Sequence, residues 1–176
     1  MEAAVLVTYA TRSGSTEEVA RAVAEVLRER GLVVEFQPVR SVHAIEHYSA
    51  VVLAAPLYMF RLHKHARRFL SAHRGALMKV PVALFVPGPV KKDEKDWTLA
   101  RQHLDKELAK FPWLSPIASH IVGGKFDPAK LGFPLNLIPA LRKMPASDAR
   151  DWTTIRGLAI DLAAMLQPVE QSPAVP

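Results

Sequence analysis

The stretch that decides the fold is TYATRSGSTEE, residues 8–18. It follows an apolar run that begins at residue 3, and it leads into a segment with helical periodicity. Four hydroxyl side chains and one glycine fall within residues 11–16. Because the first N–H groups of a helix are unpaired and carry the positive end of its dipole, such a loop predicts an anion site.

Two further residues of this loop favour the anion site over a simple helix cap. Gly14 lets the backbone approach a ligand closely, and Arg12 adds a positive charge. The alternative is a capping box formed by Ser15 and Glu18. A cap needs one hydroxyl, however, and four are present. The sequence therefore favours an anion-binding loop.

Apolar runs alternate with helical patterns along the chain. Predicted strands cover residues 3–9, 32–37, 50–55, 80–86 and 116–124. Predicted helices cover residues 16–30, 63–76, a stretch containing Trp97 and Leu108, and a last stretch ending at Leu166. This alternation predicts a doubly wound α/β fold with a five-stranded parallel sheet. The second run alternates polar and apolar residues as an edge strand does, which favours the order 2-1-3-4-5 and a ligand site at the carboxyl ends of strands 1 and 3.

Composition bounds the function classes. The 176 residues, 49 % of them hydrophobic, predict a single domain over residues 1–166, followed by a flexible tail over 167–176. The absence of cysteine excludes disulfides, iron–sulfur clusters and thiolate catalysis. No apolar run approaches the roughly 20 residues of a membrane span, and we expect a cytoplasmic protein. The net charge of +6 favours anionic partners.

Several phosphate-binding classes do not match residues 8–18. A Walker loop would need Gly-Lys-Ser/Thr, a dinucleotide fingerprint would need G-x-G-x-x-G, and a cysteine phosphatase would need cysteine. A phospho-acceptor receiver domain is disfavoured because no acidic cluster follows the first strand.

Residues 9–17, YATRSGSTE, resemble the phosphate loop of flavodoxins, whose pattern after the first strand is roughly T/S-x-T-G-x-T. By that resemblance, the terminal phosphate of FMN would be held by Thr11, Ser13, Gly14, Ser15 and Thr16. Arg12 stands where the family often has a small residue. The resemblance implies the flavodoxin-like fold and FMN as cofactor.

Later stretches resemble one branch of that family. VVLAAPLYMFRLHKHARRFL (residues 51–70), GGKFDP (123–128) and SDARDWTTIRGLA (147–159) are similar to flavodoxin-domain proteins of the menaquinone-dependent protoporphyrinogen oxidase type. This resemblance implies an FMN-dependent oxidoreductase that oxidises protoporphyrinogen IX with a quinone as acceptor. The alternative is an FMN-containing electron carrier that serves a protein redox partner.

The same resemblance assigns the walls of the flavin ring site. The exit from the third strand would flank the ring with Pro56, Leu57, Tyr58, Met59 and Phe60. The exit from the fourth strand would close the other side with Pro87, Gly88 and Pro89. Electron-carrier flavodoxins usually have a glycine in the loop that leaves the third strand. This sequence has no glycine between Ala50 and Arg74. That departure favours two-electron chemistry.

Residues 61–74, RLHKHARRFLSAHR, carry five Arg or Lys, three His and no acid. They form either a solvated helix face or, through Arg61, His63 and Lys64, a site for substrate carboxylates. The oxidase resemblance makes His63 a candidate for proton handling. Two histidine pairs, His63 with His65 and His43 with His47, lack an evident third ligand, so no metal site is predicted. No nucleic-acid-binding module is recognisable in the sequence. Trp97 lies on the apolar stripe of its helix and is predicted to be core.

Residues 125–147, KFDPAKLGFPLNLIPALRKMPAS, form a long connection after the fifth strand that is both apolar and basic. This insertion has two interpretations. It could make peripheral contact with the inner face of a membrane, near a lipid-soluble quinone. It could instead pack on its own domain or form a homo-oligomer surface, which we favour because Pro134 and Pro139 prevent one continuous amphipathic helix.

Overall fold

The fold is described here from a computed structural model that covers residues 3–167. The predicted tail lies outside these residues except for Gln167. The strands are β1 (Val5–Tyr9), β2 (Val34–Pro38), β3 (Ala50–Ala54), β4 (Leu57–Tyr58), β5 (Arg61–Leu62), β6 (Val82–Pro87), β7 (Ala118–Val122), β8 (Lys125–Phe126) and β9 (Ser147–Asp148). The α-helices are α1 (Ser15–Glu29), α2 (Lys64–Ala72), α3 (Arg74–Leu77), α4 (Glu94–Leu108), α5 (Pro139–Arg142) and α6 (Trp152–Leu166).

Five strands form a parallel sheet in the order β2-β1-β3-β6-β7. Counting only these strands, the order is 2-1-3-4-5, so the predicted topology is confirmed. The winding reverses between β1 and β3, and their carboxyl ends adjoin the loop that follows β1. The predicted ligand position therefore corresponds to the topological switch point of the sheet.

Each face of the sheet is covered by helices. Alternate residues of β1 belong to two separate cores, with Val5, Val7 and Tyr9 against α1 and α6 and Leu6 against α2 and α4. Helix α1 buries a stripe that includes Val19, and burying one such side chain fully contributes about 1.5–3 kcal/mol. The two-sided burial explains the unbroken apolar runs of the central strands.

Helix α1 ends as its sequence predicts. Gly31 has φ +88°, its N–H donates to the Arg28 carbonyl (2.9 Å), and the Leu32 N–H donates to the Leu27 carbonyl (3.1 Å). These two bonds form a Schellman motif, which a left-handed glycine permits without steric cost. The turn directs the chain into edge strand β2.

Three sequence expectations about the elements are wrong in part. The fifth sheet strand, β7, is mostly half-buried rather than covered on both faces, because it is the second edge of the sheet. The predicted helix over residues 63–76 breaks at His73 into α2 and α3. Trp97 is half-buried outside both cores, and its indole N–H donates to the Lys91 carbonyl (3.2 Å).

The insertion is a folded excursion closed by a small ribbon. Strands β8 and β9 pair antiparallel, with Lys125 opposite Asp148 and Phe126 opposite Ser147. Between them lie two 3-10 turns and the four-residue helix α5. The ribbon fixes both ends of the insertion at the carboxyl edge of the sheet, next to the loop after β1.

Candidate functional site

A cavity of about 300 Å³ opens at the carboxyl ends of β1, β3 and β6. Its volume is at the lower end of the range for ligand pockets. The loop after β1, the exit of β3, the exit of β6 and the insertion all contribute to its wall. The wall residues are Arg12, Ser13, Ser15, Thr16, Pro56, Leu57, Tyr58, Met59, Pro87, Gly88, Val90, Gly124, Lys125, Phe126, Asp127, Lys130, Leu131, Leu135 and Leu141.

The loop after β1 turns through Gly14, which precedes α1 with φ +92°. The Thr11 hydroxyl accepts a hydrogen bond from the Gly14 N–H (2.9 Å), and the Gly14 carbonyl accepts from the Glu18 N–H (3.2 Å). Thr11 and Gly14 therefore shape the loop and are not part of the cavity wall. The alternative of a Ser15–Glu18 capping box is wrong, because Ser15 is already the first helical residue and no side chain caps α1.

The loop leaves polar groups directed at the cavity. Ser13, Ser15 and Thr16 belong to its wall, beside the N-terminus of α1. Thr16 is only 1 % exposed as a whole residue, yet it belongs to the cavity wall. A ligand with acceptor oxygens at this end of the cavity would accept hydrogen bonds from the hydroxyls of Ser13, Ser15 and Thr16.

The exit of β3 forms a hairpin in which β4 and β5 pair, with Tyr58 opposite Arg61. Its two-residue turn places Met59 at φ +49° and Phe60 at φ +64°. Positive φ at both central residues is typical of a type I′ turn, where glycine and asparagine are preferred. Each non-glycine residue in this region costs about 1–2 kcal/mol. Met59 and Phe60 are nevertheless 70 % and 66 % exposed. The strained turn therefore holds two large apolar side chains in solvent, which is typical of a functional site.

A second cavity of about 330 Å³ adjoins the first and shares Leu57, Met59, Gly88 and Val90 with it. Phe60 and Pro89 belong to the wall of this second cavity and not to that of the first. The Phe60 ring packs on the His103 ring, with a centroid distance of 4.4 Å. The predicted wall of the flavin ring site is thus divided between two neighbouring cavities.

Two glycines bring the exits of the strands close together. A Cβ on Gly124 would lie 2.6 Å from the Gly88 carbonyl oxygen, and a Cβ on Gly123 would lie 1.9 Å from the Ala149 carbonyl oxygen. The Gly124 N–H donates to the Pro89 carbonyl (2.8 Å). The backbone contacts around the cavity therefore require glycine at both positions.

The sequence did not identify the insertion as part of the cavity wall. The residues that it contributes are Lys125, Phe126, Asp127, Lys130, Leu131, Leu135 and Leu141. All residues of the insertion are half-buried or exposed, and the two interpretations of the insertion both stay predictions. The signal available in the sequence was its position, because a connection leaving the fifth strand starts at the same edge of the sheet as the loop after β1.

Arg12 connects the loop after β1 to two neighbouring segments. Its Nη2 donates to the Phe133 carbonyl of the insertion (3.0 Å), and its guanidinium carbon lies 5.0 Å from the centroid of the Tyr58 ring. The second contact is a cation–π interaction. Arg12 thus positions the insertion and the hairpin while remaining in the cavity wall.

Arg150 is a second buried connection that the sequence did not single out. Its side chain is 4 % exposed and forms ion pairs with Glu18 of α1 and with Asp148 (2.7 Å). Nη1 also lies 3.4 Å from the Ser15 carbonyl, and the guanidinium packs on the Trp152 ring at 4.8 Å. Hydrogen bonding to Arg150 lowers the pKa of both Glu18 and Asp148. Arg150 therefore joins the first turn of α1 to the end of the insertion.

Arg61 and His63 lie beside the first cavity but outside its wall. Arg61 is exposed on β5. His63 caps α2, where its Nδ1 accepts from the His65 N–H (3.3 Å). Burial, followed by interaction with His65 and with the cations Lys64, Arg12 and Arg40, lowers the pKa of His63 to about 4. The ring is therefore neutral near pH 7, and its predicted proton-handling role stays a prediction.

Two general features concern metals and membranes. Within residues 3–167 no group of three His, Asp or Glu side chains is arranged to hold a metal ion. Over the same residues, no helix has the length and apolar character needed to cross a bilayer.

Comparison with known proteins agrees with the geometry. A flavodoxin domain model matches residues 6–144. The chain is 26 % identical over 172 residues to protoporphyrinogen IX dehydrogenase [quinone] of Escherichia coli (strain K12), covering 90 % of this chain and 93 % of that protein.

Solved structures share the fold. Flavodoxin 1 from Bacillus cereus superposes with a TM-score of 0.58 at 17 % identity, covering 92 % of this chain and 95 % of that one. The flavodoxin of Streptococcus pneumonia TIGR4 gives a TM-score of 0.59 at 18 % identity, covering 93 % and 99 %. Together with the family match over residues 6–144, the sheet order and the loop after β1 show that this chain belongs to the flavodoxin domain family.

Proposed function

We propose that this chain is an FMN-dependent oxidoreductase that transfers electrons from a reduced organic substrate to a quinone. The observation that carries the proposal is the composition of the first cavity. One end has hydroxyls and cations around the N-terminus of α1, and the other is bounded by apolar residues from two strand exits. A phosphate joined to a planar apolar ring matches this division.

The residues present fit FMN at both ends. Ser13, Ser15 and Thr16 would donate hydrogen bonds to the phosphate, helped by the backbone N–H groups at the start of α1. Leu57, Tyr58 and Met59 would contact one side of the ring, and Pro87, Gly88 and Val90 would contact the other. When bound, FMN supplies reversible hydride acceptance, and the protein binds, orients and shields it.

We propose protoporphyrinogen IX as the reduced substrate. The support is the relative from E. coli, whose name states that activity, together with the charge near the cavity. Residues 50–92 contain no Asp or Glu. The exposed Arg61 belongs to the hairpin, and the exposed Lys64 begins α2 just after it. A substrate with carboxylates is attracted to such a region, and the exposed Phe60 presents an aromatic face on which a pyrrole ring could pack.

We propose that the quinone reaches the protein from a membrane surface. The outer side of the insertion exposes Phe133 (76 %), Leu137 (66 %), Ile138 and Met144. Lys143 is exposed beside them, and residues 128–147 contain no acid. Exposed apolar side chains among cations are typical of peripheral contact with anionic lipids. Two electrons and two protons leave the substrate in each cycle and convert one quinone to a quinol.

Turnover under anaerobic conditions tests this proposal. FMN-loaded protein is mixed with protoporphyrinogen IX and menaquinone in anionic vesicles, and porphyrin fluorescence and quinol are followed. We expect both products to form, and Arg61→Ala to raise KM for the porphyrinogen more than Lys79→Ala, an exposed lysine away from the cavity. FMN binding without quinone reduction would instead favour the electron-carrier alternative.

Sedimentation of the same protein tests the homo-oligomer interpretation of the insertion.

A further inference from the structure

We propose that Lys125 and Lys130 of the insertion form the second half of the phosphate site and determine selectivity for phosphorylated flavin. Arg150 is the positioning residue that makes this arrangement electrostatically favourable. The inference rests on the proposed binding of FMN and assigns residues to it that the loop after β1 does not contain.

The first observation is the wall of the cavity at its polar end. Ser13, Ser15, Lys125 and Lys130 all belong to the wall of the first cavity, and the same four residues surround a small recess beside it. Nearby Lys125 and Lys130 also help to lower the pKa of Glu18 in the first turn of α1. Two ammonium groups of the insertion thus lie beside the hydroxyls that face the cavity.

The second observation concerns the acids at the same end. Glu18 and Asp127 border the recess and would repel a phosphate dianion. Glu18 is paired with Arg150, whereas Asp127 accepts from the Ala129 N–H (3.0 Å) at the start of a 3-10 turn and keeps its charge. Lys125 and Lys130 form no ion pair within residues 3–167, and with Arg12 they are the cations of the cavity wall.

The third observation is that the insertion is attached on both sides of the phosphate loop. Arg12 binds the Phe133 carbonyl on one side, and Arg150 joins Ser15 and Glu18 to Asp148 on the other. The β8–β9 ribbon places Lys125 opposite Asp148. Lys125 therefore has a fixed location relative to the loop, as a built anion site requires.

Comparison of FMN with riboflavin isolates the phosphate contribution. The affinity of each flavin for FMN-free protein is measured by fluorescence quenching at 50 and 300 mM NaCl. Variants Lys125→Gln and Lys130→Gln are compared with Lys143→Gln, which removes the same charge from an exposed part of the insertion outside the cavity wall. We expect replacement of either cavity lysine by glutamine to lower FMN affinity about three- to tenfold without changing riboflavin affinity, because charge-assisted contacts are strong but exposed ones are screened.

Arg150 is tested by rescue. Arg150→Met leaves Glu18 unpaired beside the phosphate site, and we expect the preference for FMN over riboflavin to fall several-fold. The double variant Arg150→Met with Glu18→Gln removes the repelling charge and should recover most of that preference. A merely structural role for Arg150 would lower both flavin affinities and would not be rescued.

The outcomes separate the two proposals. If the wild-type chain binds neither flavin, the proposed function fails. If it binds FMN but the FMN-to-riboflavin ratio is the same in Lys125→Gln, Lys130→Gln and Lys143→Gln, the lysine site is overturned and the FMN proposal stands. Loss of both flavins together also leaves the ratio unchanged and overturns the lysine site.

Discussion

Replacing Arg150 with methionine tests how strongly the insertion is held to the sheet. Methionine fills a similar length but removes the guanidinium, which is 4 % exposed and pairs with Glu18 and Asp148. A hydrogen bond to a charged group contributes about 1.5–3 kcal/mol. Both carboxylates are partly exposed, at 52 % and 41 %, so they regain hydration when the arginine is lost.

We therefore expect Arg150→Met to lower the free energy of unfolding by about 2–3 kcal/mol, well below the cost of stranding a fully buried charge. For a domain of this size the corresponding fall in Tm is about 5–10 °C. The matched control is Arg156→Met, which removes an exposed ion pair with Glu29 (2.7 Å). Exposed pairs contribute at most about 1 kcal/mol.

Urea unfolding of FMN-free protein, followed by far-UV circular dichroism, measures both variants. A lower midpoint with an unchanged slope would show a loss of stability without a change in the unfolded state. Equal midpoints for Arg150→Met and Arg156→Met would refute the reasoning, because the buried connection would then contribute no more than a surface pair.

Three further substitutions have predicted effects on stability. Gly123→Ala should destabilise the fold by about 3 kcal/mol or more in urea unfolding, because relief of its clash with the Ala149 carbonyl requires backbone movement. Met59→Asn with Phe60→Gly should raise the Tm of the FMN-free protein by about 2–4 °C, because both residues adopt positive φ. The same variant should raise KM for the porphyrinogen, because it removes the exposed Phe60 ring. His63→Asn keeps a capping acceptor but does not titrate, so it should lose less stability than wild type between pH 7 and pH 4.5.

The sign of the last prediction follows from proton linkage. Burial lowers the pKa of His63 from 6.5 to about 4, so the unfolded chain takes up a proton at higher pH than the folded chain. The stabilising contribution is fully present above pH 6.5 and is lost as the pH falls towards 4. Identical pH profiles for wild type and His63→Asn would contradict it.

Each of the other two predictions also has a contradicting result. The control for Gly123→Ala is Gly157→Ala. Gly157 lies in α6, where an added Cβ meets nothing within 4 Å, so this substitution should stabilise the helix while Gly123→Ala destabilises the fold. Losses of equal size in both variants would show that the close approach at Gly123 is unimportant. A fall in Tm for the hairpin variant would show that Met59 and Phe60 are not strained.

The sheet order followed from the sequence because burial leaves a clear pattern. Central strands covered on both faces are continuous apolar runs, and the alternation in residues 34–38 marks an edge. The same reasoning failed for β7, since an apolar run at an edge looks like an interior strand. The pattern of apolar residues along a strand indicates which of its faces are buried. It does not indicate whether another strand pairs with its edge.

The polar end of the cavity was only half visible in the sequence. Its hydroxyl residues all fall within residues 11–16, so local pattern and helix-start geometry identify them. Arg150 and Lys130 lie more than 100 residues further along the chain and reach the loop only through the folded insertion. No local rule connects such positions, because their proximity depends on the packing of the ribbon against the sheet.

Titration of the purified chain with FMN tests the central claim most directly. We expect saturation at one FMN per chain, with quenched flavin fluorescence, and weaker binding by Thr16→Val, which removes a hydroxyl from the polar end of the cavity. Free flavin that remains fully fluorescent at excess protein, or Thr16→Val binding as tightly as wild type, would contradict the assignment of the loop after β1 as the phosphate site.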